Sequence, residues 1–249
     1  MDAERGRPRR LANATPWLAP RERLIVALDL PDRAAALDLV ARLGDAVRFY
    51  KLGMELLTSG DYFRLVGELA ERGKRVFADL KFFDVPATVA RAVRGLARFP
   101  VDFVTVHGND GMLRAAAEAK GPLKVLAVTA LTSLDQADLA ALGFDCDPER
   151  LVLSRARAAL AAGCDGIVSS GLEAAAVRAE CGDSLILVCP GIRPVANVDD
   201  QKRTVDLATA FAGGADYVVI GRPVRDAPDP RAAVLALIRE AEIFFSSNQ

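Results

Sequence analysis

Residues 75–99 read RVFADLKFFDVPATVARAVRGLARF, and within them one hydrophobic period gives way to another. From Arg75 to Lys81 apolar residues dominate, the pattern of a strand buried inside a sheet. After a short break, Pro86–Phe99 places apolar residues three or four apart, the period of a helix packing one face on a sheet. The stretch is one βα unit.

Outward from it in both directions the same unit recurs. Strands are expected at Leu24–Asp29, Val47–Lys51, Arg75–Lys81, Asp102–His107, Leu123–Thr129, Asp165–Ser170, Leu185–Cys189 and Asp216–Gly221. Helices are expected at Asp32–Leu43, Asp61–Arg72, Pro86–Phe99, Gly111–Lys120, Pro148–Ala162, Leu172–Glu180, Thr204–Ala212 and Asp229–Ile243. Eight consecutive units of roughly 27 residues predict a closed (β/α)8 TIM barrel, an α/β fold in a single domain. A doubly wound open sheet would usually need fewer strands, and no G-x-G-x-x-G follows the first one. Residues 21–249 are assigned to the barrel. Residues 1–20, opening with four arginines in Met1–Arg10, read as a mobile or loosely docked extension.

Two connections are longer than the rest, 130–150 after the fifth strand and 190–203 after the seventh. Both leave the C-terminal rim, where barrel active sites sit. Long loops in a compact domain are often binding elements or lids, although plain surface loops fit the same composition.

Composition narrows the chemistry. The 249 residues carry 32 basic and 33 acidic side chains, a formal net charge of −1, which gives no support for a nucleic-acid surface. No apolar run approaches the roughly 18 residues of a membrane span. Leu11–Pro20 makes a poor signal-peptide core, so a cytoplasmic protein is expected. His107 is the single histidine, which excludes multi-histidine metal sites. Cys146, Cys164, Cys181 and Cys189 form no C-x-x-C pair or zinc spacing and read as reduced, mostly buried thiols. Nothing local supports a Cys–His dyad with His107, so the reaction is expected to rest mainly on Asp, Glu, Lys, Arg and backbone groups.

Such residues collect at the ends of the first three strands: Asp29, Lys51, then Asp79 and Lys81, with Asp84 just beyond. Residues 79 and 81 are two apart and share a strand face. With Ala78 and Leu80 packed outward, they point into the barrel mouth. Buried charges are costly unless they pair or serve a ligand, and an alternating array stabilises each ionised form. A structural ion-pair network is the bland alternative; four charges ending three consecutive strands favour function. Across the mouth, the eighth strand ends in Gly221-Arg222-Pro223. The loops after strands seven and eight are a recurrent phosphate site, where Gly221 permits close approach and Arg222 can donate two parallel hydrogen bonds. Arg193 and Gln201 lie in the strand-seven loop and could close over the same group.

From about Leu24 to Ile238 the chain resembles the orotidine 5′-monophosphate decarboxylase family, which forms UMP in pyrimidine synthesis. The most specific element is Asp79-Leu80-Lys81-Phe82-Phe83-Asp84-Val85-Pro86-Ala87-Thr88, similar to the family's D-L-K-x-x-D-I-P-x-T. Lys51-Leu52-Gly53, Leu131-Thr132-Ser133, Pro190-Gly191-Ile192-Arg193, Asp199-Asp200-Gln201 and Ile220-Gly221-Arg222-Pro223 support it in the same order. Phe83 and Ala87 depart from the His and Asn common there, a difference that bears on local contacts near the ribose or dimer interface.

The resemblance implies roles. Asp29 and Lys51 would bind ribose hydroxyls, Asp79 would sit beside the substrate carboxylate, and Lys81 would protonate C6 as carbon dioxide leaves. Asp84 and Thr88 would reach into the site of a second subunit, making the working form a homodimer. Thr132 and Ser133 would hold the pyrimidine edge, Pro190 would line its pocket, and Arg193, Gln201, Gly221 and Arg222 would grip the 5′-phosphate. No cofactor or metal is implied. The length is expected to leave no room for a fused phosphoribosyltransferase domain. His107 is expected to be structural or to act from behind the site. Magnesium-dependent 3-keto-gulonate-6-phosphate decarboxylases and hexulose-6-phosphate synthases share D-x-K-x-x-D, but they carry a metal-binding Glu where this chain has Lys51. A catalytically silent nucleotide-binding barrel would have no need to keep Asp79, Lys81 and Asp84.

Overall fold

In the computed structural model, which describes residue 15 and residues 18–193 and 203–247, each of the eight apolar runs is a strand. They are β1 Leu24–Ala27, β2 Phe49–Leu52, β3 Arg75–Phe82, β4 Phe103–Val106, β5 Lys124–Val128, β6 Gly166–Val168, β7 Ile186–Cys189 and β8 Tyr217–Ile220. All pair in parallel in chain order, and β1 closes on β8 with Ile25 opposite Val219. The helices are α1 Arg33–Leu43, α2 Met54–Thr58, α3 Tyr62–Glu71, α4 Pro86–Leu96, α5 Asp110–Ala119, α6 Gln136–Ala141, α7 Pro148–Ala162, α8 Ala174–Cys181, α9 Leu207–Ala212, α10 Arg222–Arg225 and α11 Pro230–Ser247. The chain is a (β/α)8 barrel in one domain, as its periodicity predicts.

Alternation along each strand sorts two cores. Inward residues, among them Ile25, Phe49, Phe77, Phe103, Leu126, Val188 and Val219, fill the barrel. Their outward neighbours, such as Val26, Tyr50, Val76, Ala78 and Val104, pack under the helices. At the N-terminal end the filling is aromatic, with Phe49, Phe103 and Tyr217 meeting edge to face at centroid distances of 5.1–5.9 Å. Arg75 covers them, 4.1 Å above Phe49. The apolar plug closes the bottom of the barrel, leaving the C-terminal mouth as the place for a ligand.

Every even strand from β4 onward is preceded by an aspartate that the hydrophobic pattern places within the strand. Asp102, Asp165 and Asp216 instead accept the backbone N–H of Val76, Val125 and Leu187 at 3.1, 2.9 and 2.8 Å, on the strand before. Each is neutralised by a base, Arg75, Lys120 and Arg178 respectively. These carboxylates satisfy donors at the start of β3, β5 and β7, and they fix where the ladders begin.

Three short helices, α2, α6 and α10, leave no trace in the periodicity, because five, six and four residues are too few to display a helical period. Most of residues 1–20 lies outside the described residues. The described end of that segment is docked: Thr15 donates through its N–H and hydroxyl to Asp216 Oδ1 at 3.0 and 2.8 Å, and Leu18 packs against the barrel filling.

Candidate active site

A cavity of about 450 Å³ opens at the C-terminal mouth. Its apolar base is made by Ala27, Phe77, Val128, Val168 and Val219, whose mostly small side chains stop the filling short of the rim. Above that base the inward positions of β1, β2 and β3 change from apolar to charged. Asp29, Lys51, Asp79, Lys81, Thr132, Ser133, Pro190, Arg193, Gly221 and Arg222 all line the cavity.

The charges alternate as the sequence predicts. Lys51 Nζ lies 2.9 Å from Asp29 Oδ1 and 3.4 Å from Asp79 Oδ2, and Lys81 Nζ lies 2.9 Å from Asp79 Oδ1. Burial alone would push the Asp79 carboxyl up. Lys51 and Lys81, with hydrogen bonds from Lys81 and Thr105, outweigh it and hold Asp79 below the usual carboxylate range. Burial likewise pulls against the Lys51 ammonium, but Asp79 and Asp29 more than compensate and raise it. Asp79 and Lys51 are therefore both ionised at neutral pH, in a mouth where their fields are little screened.

Asp79 and Lys81 lie on an irregular stretch of β3. Ala78 pairs with Val104, yet Phe82 pairs with Val106, so β3 carries two more residues than β4 across that interval. Lys81 takes up the excess with φ of 49°, the left-handed region that side chains other than Gly and Asn seldom occupy. Bulges at barrel rims re-aim side chains toward a site. Here Leu80 turns outward into the helical layer while Lys81 stays in the cavity.

Because β8 closes on β1, Gly221 stands beside the charge array rather than across the mouth from it, and leaves open the space that a side chain would take beside Ala27 and Asp29, at 3.7 and 3.9 Å. Arg193 is held by its backbone, whose N–H donates to Val205 carbonyl at 3.0 Å, so the departing and returning ends of the strand-seven loop are stitched together. Gln201 lies outside the described residues. Asp84 and Thr88 are not in this chain's own cavity. Asp84 is exposed on the β3–α4 turn, accepting the Val85 N–H at 2.6 Å, and Thr88 accepts from Arg91 at 3.1 Å. His107 also stays outside the cavity lining. Its ring packs edge-on against Phe83 at 5.9 Å, and burial, with Arg155 and Lys81 nearby, holds it below the ordinary imidazole value.

Several residues join the site that the sequence pattern does not single out. Gly53, which stands only as part of the Lys51-Leu52-Gly53 motif, leaves space where a Cβ would come within 3.5 Å of both Asp29 Oδ1 and Lys51 Nζ. Arg225, one helical turn beyond Arg222, lines the cavity and donates to the Asp29 carbonyl at 2.8 Å. Arg203 pairs with Glu173 at 2.6 Å, both side chains buried, and its N–H donates to the Thr132 carbonyl at 3.1 Å. It ties the strand-seven loop to the Thr132–Ser133 segment. Thr105 is buried on β4 between Asp79 and the Lys81 backbone. The signal for Arg225 is its spacing from Arg222; a lone threonine in a strand gives none.

Among the described residues no helix is long and apolar enough to cross a membrane, and no group of three or more His, Cys, Asp or Glu side chains is placed to hold a metal ion.

Comparison with known proteins covers nearly the same span. A sequence profile of the Orotidine 5′-phosphate decarboxylase / HUMPS family matches residues 22–237. The orotidine 5′-phosphate decarboxylase of Methylococcus capsulatus is 63% identical over 214 residues, 85% of this chain and 88% of that protein. The enzyme of the same name from Xanthomonas euvesicatoria is 55% identical over 234 residues, 93% of this chain and 96% of its own. The crystal structure of orotidine 5′-phosphate decarboxylase from Lactobacillus acidophilus superposes with a TM-score of 0.78 at 33% identity, covering 89% of this chain and 99% of that one.

Proposed function

The chain belongs to the orotidine 5′-phosphate decarboxylase / HUMPS family, and we infer that it converts orotidine 5′-monophosphate to UMP and carbon dioxide, closing de novo pyrimidine nucleotide synthesis. The observation that carries the reading is the Asp29–Lys51–Asp79–Lys81 array in the mouth of the barrel.

Breaking the bond between C6 and the carboxylate leaves its electron pair on C6, in the ring plane, where the pyrimidine π-system cannot take it up. A cation already in place meets that charge as it develops, at no reorganisation cost during the reaction. Lys81 is that cation, and its ammonium proton passes to C6 as carbon dioxide departs. Asp79 fixes the Lys81 ammonium and faces the substrate carboxylate. Lys51, held charged between Asp29 and Asp79, organises the array, and Asp29 and Lys51 receive the ribose hydroxyls. Thr132 and Ser133 hold the pyrimidine edge, and Pro190 lines its pocket. Arg193, Gln201, Gly221 and Arg222 take the 5′-phosphate. Phosphate binding far from C6 stabilises the assembled site and so raises turnover as well as affinity.

Asp84 and Thr88 complete the site of a second copy in a homodimer. Their position outside their own cavity supports this, as do the exposed apolar neighbours Phe83 and Val85, 67% and 61% exposed. The cytoplasm is part of the reading, supported by four cysteines that are all unpaired. The magnesium-dependent reactions of the wider family are disfavoured by the residue at the end of β2: the Lys51 ammonium between the two carboxylates repels a divalent ion where those enzymes bind one.

The test is ultraviolet absorbance of the purified protein with orotidine 5′-monophosphate in the presence of a chelator. Conversion to UMP is expected; no conversion would sink the reading, and magnesium-dependent turnover of a sugar phosphate would replace it.

A further inference from the structure

We propose that Thr105 on β4 is a positioning residue for the reacting pair, holding the Asp79 carboxylate and the Lys81 backbone through one hydroxyl. The inference rests on Lys81 as the proton donor proposed above.

Thr105 lies on the inward face of β4, two residues beyond Phe103, and is completely buried. Its Oγ1 is 2.9 Å from the Lys81 backbone nitrogen and 2.9 Å from Asp79 Oδ1. The Lys81 N–H is a donor, so the hydroxyl accepts there, and its own single proton goes to the carboxylate. The directions are fixed by the inventory of donors.

Each bond answers a need created by the irregular strand. The register shift between β3 and β4 leaves Lys81 in a left-handed conformation that is unfavourable for a side chain with a Cβ and persists only where surroundings enforce it. Its N–H falls at a position where the regular ladder is interrupted, and an unpaired buried amide is costly. Thr105 supplies the acceptor. The same hydroxyl orients Asp79 so that Oδ1 meets Lys81 Nζ at 2.9 Å while Oδ2 faces Lys51 Nζ at 3.4 Å. One side chain thus sets both the strand conformation that aims Lys81 and the rotamer of the carboxylate that holds its ammonium. Serine retains both bonds; valine, nearly the same shape, retains neither.

The experiment compares wild type, Thr105→Val and Thr105→Ser in steady-state turnover of orotidine 5′-monophosphate, with UMP affinity measured by titration calorimetry. Thr105→Val is expected to lower kcat about 10–100-fold, the scale of a small misplacement at a reacting centre, while UMP affinity stays within about threefold. Thr105→Ser should return kcat to within about threefold of wild type. The acid limb of the kcat/KM profile should also move to higher pH in Thr105→Val, because Asp79, facing Lys51 and Lys81 with Asp29 behind, has lost a donor to its charged form. A merely structural threonine would not move that limb.

If Thr105→Val does not fold, Thr105→Ala carries the same measurements and the same expectations. An unchanged kcat in the valine or alanine variant overturns the proposal, and so does a serine variant as impaired as valine. Wild-type protein unable to form UMP overturns the decarboxylase reading instead, and the inference with it.

Discussion

Lys81 Nζ stands 2.9 Å from Asp79 Oδ1, although the two residues belong to one strand whose backbone has turned left-handed at Lys81. That geometry fixes what removal of the lysine should do. In Lys81→Ala, Asp79 keeps Lys51 and Thr105 as partners, so the barrel should fold with a thermal midpoint within a few degrees of wild type. Turnover should fall at least ~10³-fold if Lys81 is the proposed cation and proton donor, since charge stabilisation and proton delivery would then disappear together. Residual activity within tenfold of wild type would remove Lys81 as the donor.

Asp84 gives a prediction about assembly. It is exposed on the β3–α4 turn and absent from its own cavity, while Lys81, three residues earlier, lines that cavity. If each site takes Lys81 from one chain and Asp84 from the other, Lys81→Ala and Asp84→Ala homodimers are both crippled. A mixed dimer then holds one site with both residues intact. Mixing the two inactive variants should regenerate measurable activity, up to about half of a wild-type site pair in each hybrid. Absence of activity, with hybrids demonstrated by mass spectrometry, would contradict the shared site.

How far the sequence carries these conclusions differs from residue to residue. The strands are legible because parallel strands covered on both faces read as apolar runs. Asp29, Lys51 and Asp79 are legible because a charge at the inward end of such a run is costly unless it pairs or meets a ligand. Thr105 is not: its role depends on the β3–β4 register, and two extra residues in β3 shift that register without leaving a sequence mark. Arg225 has a local signal in its spacing from Arg222, but its contact is hidden for another reason. Its partner, the Asp29 carbonyl, lies 196 residues away and becomes a neighbour only when β8 closes on β1. Asp102, Asp165 and Asp216 read as strand residues because nothing local shows a side chain satisfying the backbone of the strand before.

The charge array makes stability depend on pH in a defined direction. Asp79 titrates below its ordinary value of 3.8 in the folded protein, so its contribution is present above 3.8 and is lost as pH falls through the lower folded value. Lys51 titrates above its ordinary 10.5, so its contribution is complete below 10.5 and is lost as pH rises through the folded value. His107, held below 6.5, works against stability as pH falls through 6.5. Comparing wild type with Asp79→Asn removes the histidine's share. The difference in urea-unfolding free energy should be flat from about pH 5 to 7 and should shrink below pH 3.8. A difference that grows on acidification would reverse the assignment of Asp79 as a stabilised carboxylate.

At the other end of the barrel, Arg178 and Asp216 form a pair at 2.6 Å with side chains 5% and 0% exposed. Arg178 also donates to the carbonyls of Gly214, Gly182 and Leu185 at 2.9, 3.1 and 2.7 Å, and Asp216 accepts from Thr15 and Leu187. Arg178→Met preserves much of the volume but takes the directly paired cation from a buried carboxylate, leaving Arg23 as its neighbouring charge, and removes the Arg178 donor from three carbonyls. Removing one partner of a buried pair typically costs ~3–5 kcal/mol, whereas a surface pair would cost under ~1 kcal/mol. Urea unfolding of Arg178→Met should show the larger loss. Because none of the pair's hydrogen-bond partners lines the cavity, kcat per folded molecule should stay within about twofold. Arg178→Lys should fall between the two proteins, since one ammonium can keep the charge but cannot reach all the acceptors of the guanidinium fork. A loss below ~1 kcal/mol in the methionine variant would show that the barrel floor does not depend on this pair; an equal fall in kcat would show that floor and mouth are coupled through the strands.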